Sequence, residues 1–206
     1  SSGYSNNAGA ATTLSSNFGG DLEVTGDFSN EGTFNPSGRA LFFTGSSGDQ
    51  AISGSGGVTL DYMILDKAAG QATLSNDLNI NNTLTLTAGL LTTGVNRVFI
   101  AATGSIATAS SASYVNGRLS IEYTTTGSKT FPIGKGGAYR PLTFNYSALT
   151  GTSTVTAEQF ESDLPGSLPS NINLAQSRFW TLSHTAGGAF SYIVTLDGGA
   201  SLPGDI

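Results

Sequence analysis

The sequence predicts an all-β chain: an N-terminal parallel β-helix (solenoid) over residues 1–115, then an antiparallel β-sandwich-like module over residues 116–206. Three observations carry this reading. A short phrase of alternating apolar and Thr/Asn positions, closed by Gly, Asn, Asp or Ser, recurs between Leu22 and Ala107. Apolar residues recur nowhere at i, i+3, i+4 and i+7 over three turns without Gly, Thr or Asn intruding, so helix signals are missing. Beyond about Ala112 the phrases lengthen, aromatic residues become denser and turn signals lose their even spacing.

The clearest copies of the phrase are Leu22 to Gly26, Ala51 to Gly54, Val58 to Leu60, Leu78 to Asn81, Leu84 to Thr87 and Val98 to Ile100. Strands this short cannot each bury an apolar face alone, so successive copies must stack and share one core. The segments Phe28 to Phe34 and Leu41 to Phe43 supply its aromatic part. Asn30, Asn35, Asn76, Asn79, Asn81, Asn82 and Asn96 fall in or beside turns, where Asn tolerates left-handed backbone. They read either as amide ladders at equivalent corners or as ordinary turn residues.

The phrase Ser113 to Tyr123 spans the boundary, and the second module continues with Lys129 to Gly134, Tyr139 to Tyr146 and Thr152 to Ala157. Arg178 to Leu182 and Phe190 to Leu196 complete it, after a loop from Ser162 to Ser170 that holds two prolines. The one stretch read as helical is Ala157 to Leu164, stopped by Pro165-Gly166. A sandwich normally continues past such a last strand, so the end at Ile206 reads as a limit inside a larger protein.

Composition narrows the function. Apolar residues make up 38% and charged residues 11%, so polarity comes from uncharged Ser, Thr, Asn and Gly, which suits a stack with a hydroxyl- and amide-rich exterior. The net charge is −6 and the basic residues are scattered, which disfavours nucleic acid and anionic membrane surfaces as partners. No segment approaches the roughly 20 apolar residues of a membrane span. Cysteine is absent. A secreted chain of this kind must draw stability from backbone pairing instead of disulfides. A start at Ser1 is consistent with processing on export.

Leu78 to Gly94, Ser113 to Gly117, Phe131 to Leu142 and Arg178 to Leu182 together resemble the large repetitive cell-surface and secreted proteins of Bacteroidetes-type bacteria. The resemblance covers about residues 20 to 200. It implies a right-handed parallel β-helix with β-sandwich modules, export by the type IX secretion route, and a role as stalk, adhesin or filament component. It brings no catalytic residues, and no sorting domain is visible in the sequence.

Candidate sites are few. His184 is the sole histidine and no Gly-x-Ser-x-Gly elbow accompanies it, so it reads as a strand residue, not a triad base. Zinc and copper lack ligands. Calcium needs only oxygens, with Asp21, Glu23, Asp27 and Glu31 near the first coils and Glu158, Glu161 and Asp163 in the late loop as candidate donors. Neither group matches the Asp-rich loop of an EF-hand or the Gly-Gly-x-Gly-x-Asp nonapeptide of calcium-binding β-rolls, and solvated acidic faces are the competing reading. No other cofactor is expected. Asp61, Asp66 and Asp77 could meet across neighbouring coils as a glycosidase pair. Thr83, Thr85 and Thr87 alternate on one face, Gly134 to Gly137 reads as a turn, and Trp180 beside Phe179 as a core anchor.

The expected function is an extracellular structural or adhesive module of a larger bacterial surface protein or fibre, without catalysis. Its partners are neighbouring modules or identical chains. The alternative is a carbohydrate-binding or carbohydrate-cleaving β-helix acting on surface glycans.

Overall fold

The computed structural model describes residues 2–55, 57–166 and 177–197, and these form strands and turns with no helix. The first coil contributes β1 (Tyr4–Asn6), β2 (Ala11–Thr13) and β3 (Leu22–Val24). The second contributes β4 (Phe28–Asn30), β5 (Thr33–Asn35) and β6 (Ala40–Gly45), and the third opens with β7 (Gln50–Ser53). β8 (Val58–Leu74) and β9 (Leu78–Ile100) run through corners unbroken, and β10 (Ser105–Ala107) follows. All of these pair in parallel, forming a β-solenoid of about six turns.

Register explains why the short phrases suffice. On one face Leu22, Leu41, Met63, Leu84 and Ile106 are successive partners. On the next, Tyr4, Phe28, Ile52 and Leu74 stack likewise. Within these rows Leu41, Met63, Leu84, Phe28 and Ile52 are buried, so each coil adds one inward side chain per face to a shared core. Phe28 packs against Tyr4, Phe34 and Phe43, which makes the aromatic part of the core the one expected; Phe42 alternates to the outer side.

The remaining strands are β11 (Val115–Tyr123), β12 (Gly127–Phe131), β13 (Ile133–Lys135), β14 (Ala138–Tyr139), β15 (Leu142–Leu149), β16 (Ser153–Phe160), β17 (Phe179–Ala186) and β18 (Phe190–Leu196). β11 pairs in parallel with β9 and antiparallel with β16, which in turn pairs antiparallel with β17. The solenoid sheet thus continues past residue 115 into β11, with one register shift between Asn116 and Arg118. A separate antiparallel sheet, β12-β15-β18, lies over it. Tyr123 meets Phe144 and Tyr146 there, and the Tyr146 hydroxyl lies 2.6 Å from that of Ser153. Lys129 of β12 ties this sheet to the last solenoid corner by donating to the carbonyls of Ala102 and Glu122 while lying over the Tyr123 ring.

The helical reading of Ala157 to Leu164 is corrected. Ser153–Phe160 is a strand whose alternate residues Ser153, Val155, Ala157 and Gln159 face the core. The two ladders available to it, β11 and β17, outweigh the helix preference of Ala, Glu and Gln. The second half of the loop from Ser162 to Ser170 and the chain end at Ile206 lie outside the described residues.

Two glycines test coil spacing. Gly70 has φ +76°, and a β-carbon there would overlap the carbonyl of Gly48 in the neighbouring coil. Gly48 has φ +69° but open space around it. Gly70→Ala should cost roughly 2–5 kcal/mol from left-handed strain plus backbone overlap, against about 1–2 kcal/mol for Gly48→Ala. Thermal melts of the two variants check the difference.

Candidate functional site

A strand that turns a corner leaves backbone N–H groups outside the parallel ladder, and these need acceptors. Acidic side chains supply them from adjacent coils, 19 to 24 positions away. Asp21 accepts from Ala40 N at 2.9 Å, Asp27 from Ala51 N at 2.8 Å and Glu31 from Ser55 N at 3.1 Å. Asp49 accepts from Gln71 N at 3.1 Å, Asp61 from Gly38 N at 2.7 Å, Asp77 from Arg97 N at 3.0 Å and Glu122 from Ala102 N at 3.1 Å. These seven are half of the chain's 14 acids, so much of its acidity is committed to joining coils. Their role as corner acceptors went unread in the sequence, although a signal exists. Gly20-Asp21-Leu22, Gly26-Asp27-Phe28, Gly48-Asp49-Gln50 and Asn76-Asp77-Leu78 each place Asp between a turn residue and the first strand position.

The calcium candidates follow from this. Asp21, Asp27 and Glu31 each serve a different backbone N–H, Asp27 and Glu31 at the two ends of β4, and Glu23 accepts from the Thr44 hydroxyl at 2.7 Å. Glu158 is flanked by Arg118 at 3.5 Å and Lys135 at 3.3 Å, and Glu161 by Arg140 at 3.0 Å. Asp163 is exposed. Among the described residues no three of His, Asp and Glu converge as metal ligands.

The three candidate glycosidase aspartates are held apart. Val58 is level with Leu78, which sets Asp77 beside Gly57. Asp61 lies four residues further along, about 13 Å at the rise of a strand. Asp61 also takes the Asn81 amide at 3.0 Å, and Asp77 the Arg97 guanidinium at 3.1 Å. Asp66 lies five residues beyond Asp61 in β8, level with Thr44 and Ala88.

Amide ladders form in part. Asn6 donates to Asn30 at 2.8 Å in register within the first two coils. A mixed polar ladder runs Asn116, Thr92, Gln71, Asp49 over four coils, with contacts of 3.0, 2.6 and 2.9 Å. Thr83 and Thr85 have Tyr62 and Ile64 beside them in one coil and Ser105 and Ala107 in the other, so no flat threonine array forms. Gly136 and Gly137, both at positive φ, make the two-residue turn of the β13–β14 hairpin. Trp180 packs against the core and donates to the Arg140 carbonyl, while Phe179 stacks on Phe160. His184 is exposed on β17 with its ring against Phe190.

Lys67 is the most enclosed charge among the described residues. Lys67 is 2% exposed and donates to Gln50 at 2.9 Å; the Gln50 amide in turn donates to the carbonyls of Val24 and Gly26. Burial pushes the Lys67 ammonium down from its ordinary 10.5, opposed by the charge of Asp49. Burial likewise raises the phenols of Tyr114, Tyr123 and Tyr139.

Asp77→Ala should lower stability by roughly 1–3 kcal/mol by orphaning Arg97 N, read as a fall in melting temperature. For Lys67 the unfolded chain keeps its proton up to pH 10.5, whereas the folded chain releases it earlier. The cost of enclosing the charge is therefore full at neutral pH and fades as pH rises toward 10.5. Urea denaturation at several pH values should show wild-type stability gaining on Lys67→Met across that window.

No family model, curated protein or solved structure matches the chain, so function has to be argued from this geometry.

Proposed function

We propose that the chain is an extracellular structural or adhesive module of a larger bacterial surface protein or fibre. The observation that supports this is the commitment of its polar chemistry. Corner carboxylates, stacked amides and hydroxyls all join one coil to the next, an arrangement suited to bearing load along the coil axis. A stack of coils resists shear because backbone and side-chain bonds repeat at every turn. No helix among the described residues is long and apolar enough to cross a membrane. Attachment in this reading comes from neighbouring modules or identical chains.

Antibody against the chain should label intact cells or the secreted fraction of the source bacterium, and deleting its coding segment should reduce surface attachment several-fold. Confinement to the cytoplasm would overturn the proposal. Incubation with a polysaccharide panel should release no products. Turnover lost in Asp61→Asn, Asp66→Asn or Asp77→Asn would replace it with the carbohydrate-cleaving reading.

A further inference from the structure

The two sheets at the C-terminal end stand open on one side. Among the described residues β17 is hydrogen-bonded to β16 alone and β18 to β15 alone. Residues 187–189 join the two strands, and the His184 and Phe190 rings lie 4.4 Å apart, so both edges face the same way. Pairing sets Leu182 opposite Ala157, Tyr192 opposite Tyr146 and Leu196 opposite Leu142, three buried partners. Leu182, Tyr192 and Leu196 therefore point between the sheets, yet they are 38%, 46% and 47% exposed. They line a slot of about 280 Å³ together with Phe144, His184 and Val194.

Natural sheet edges are normally guarded by charge, proline or a bulge against pairing with another chain. From Phe179 through Leu196 there is no Lys, Arg, Asp, Glu or Pro, in a chain whose net charge is −6. This strip is thus a surface where two like-charged copies can approach without repulsion. A strand set antiparallel to its own copy keeps its inward residues on the inward side, so the edge is complementary to itself.

We propose that a second copy of this chain occupies the opening. A two-fold axis normal to both sheets sets β17 beside its copy and β18 beside its copy. Both sheets then become continuous, and Leu182, Tyr192 and Leu196 of each copy close a common core. The pairing joins modules side by side at one end and leaves the solenoid coils free; it does not depend on where the protein resides.

Sedimentation of the chain from micromolar to several hundred micromolar should show a monomer converting to a dimer. Ile193→Lys places a charge at an outward position that is 60% exposed, and Leu182→Lys places one in the slot. Each should weaken dimerisation at least tenfold, and Ile193→Lys should do so with circular dichroism and melting unchanged at monomer concentrations. The chain has no cysteine, so single cysteines introduced from Thr181 to Thr185 report on the interface without background. At least one should form a disulfide-linked dimer, whereas Thr13→Cys in the first coil should not. A chain that stays monomeric throughout, a dimer indifferent to both lysine variants, or crosslinking at Thr13→Cys alone would overturn the proposal.

Discussion

The parallel register between coils is the constraint on which the rest of the molecule depends. Once Leu22 pairs with Leu41 and Leu41 with Met63, every inward position of one coil lies against an inward position of the next. The axial core then follows from alternation alone. A slip of one residue would turn a whole row outward, and the corners prevent it. Each corner acid grips a backbone N–H about one coil away, fixing height and phase together. In this molecule seven of the 14 acids accept a backbone N–H from an adjacent coil.

The end of the solenoid is formed by one strand with two modes of pairing. β11 continues the parallel stack from β9 and presents its other side to an antiparallel neighbour, β16. That switch converts a growing stack into a sheet that can be covered. The cover is the β12-β15-β18 sheet, held through Tyr123, Phe144, Tyr146 and the Lys129 bridge. Tyr123 donates to the Phe144 carbonyl at 3.1 Å, so its burial is matched by a partner. Rigidity in the coils and an open apolar edge at their end suit a module that joins others.

Much of the architecture was legible in the residues because period-2 alternation is a local property. Leu78-Asn79-Ile80 and Leu84-Thr85-Leu86 announce their inward faces wherever they are placed. The turn at Gly136-Gly137 was legible for the same reason, since it requires positive φ at both positions. Ala157 to Phe160 was misread because its composition favours a helix and its neighbours, Leu119 and Leu182 among them, are remote in sequence. Asp61, Asp66 and Asp77, named only for the alternative reading, also depend on placement remote in sequence. Their spacing in the chain permits a meeting, and the phase of the coil separates them.

The sequence by itself determined an all-β chain of stacked short strands, because side-chain alternation and turn chemistry act over a few residues. Only the tertiary structure decided which acid serves which backbone amide, where the parallel stack becomes antiparallel, and that Leu182, Tyr192 and Leu196 share an open slot. Those outcomes depend on how far the chain advances per turn. That advance is set by the summed packing of all the coils, and no single segment contains it.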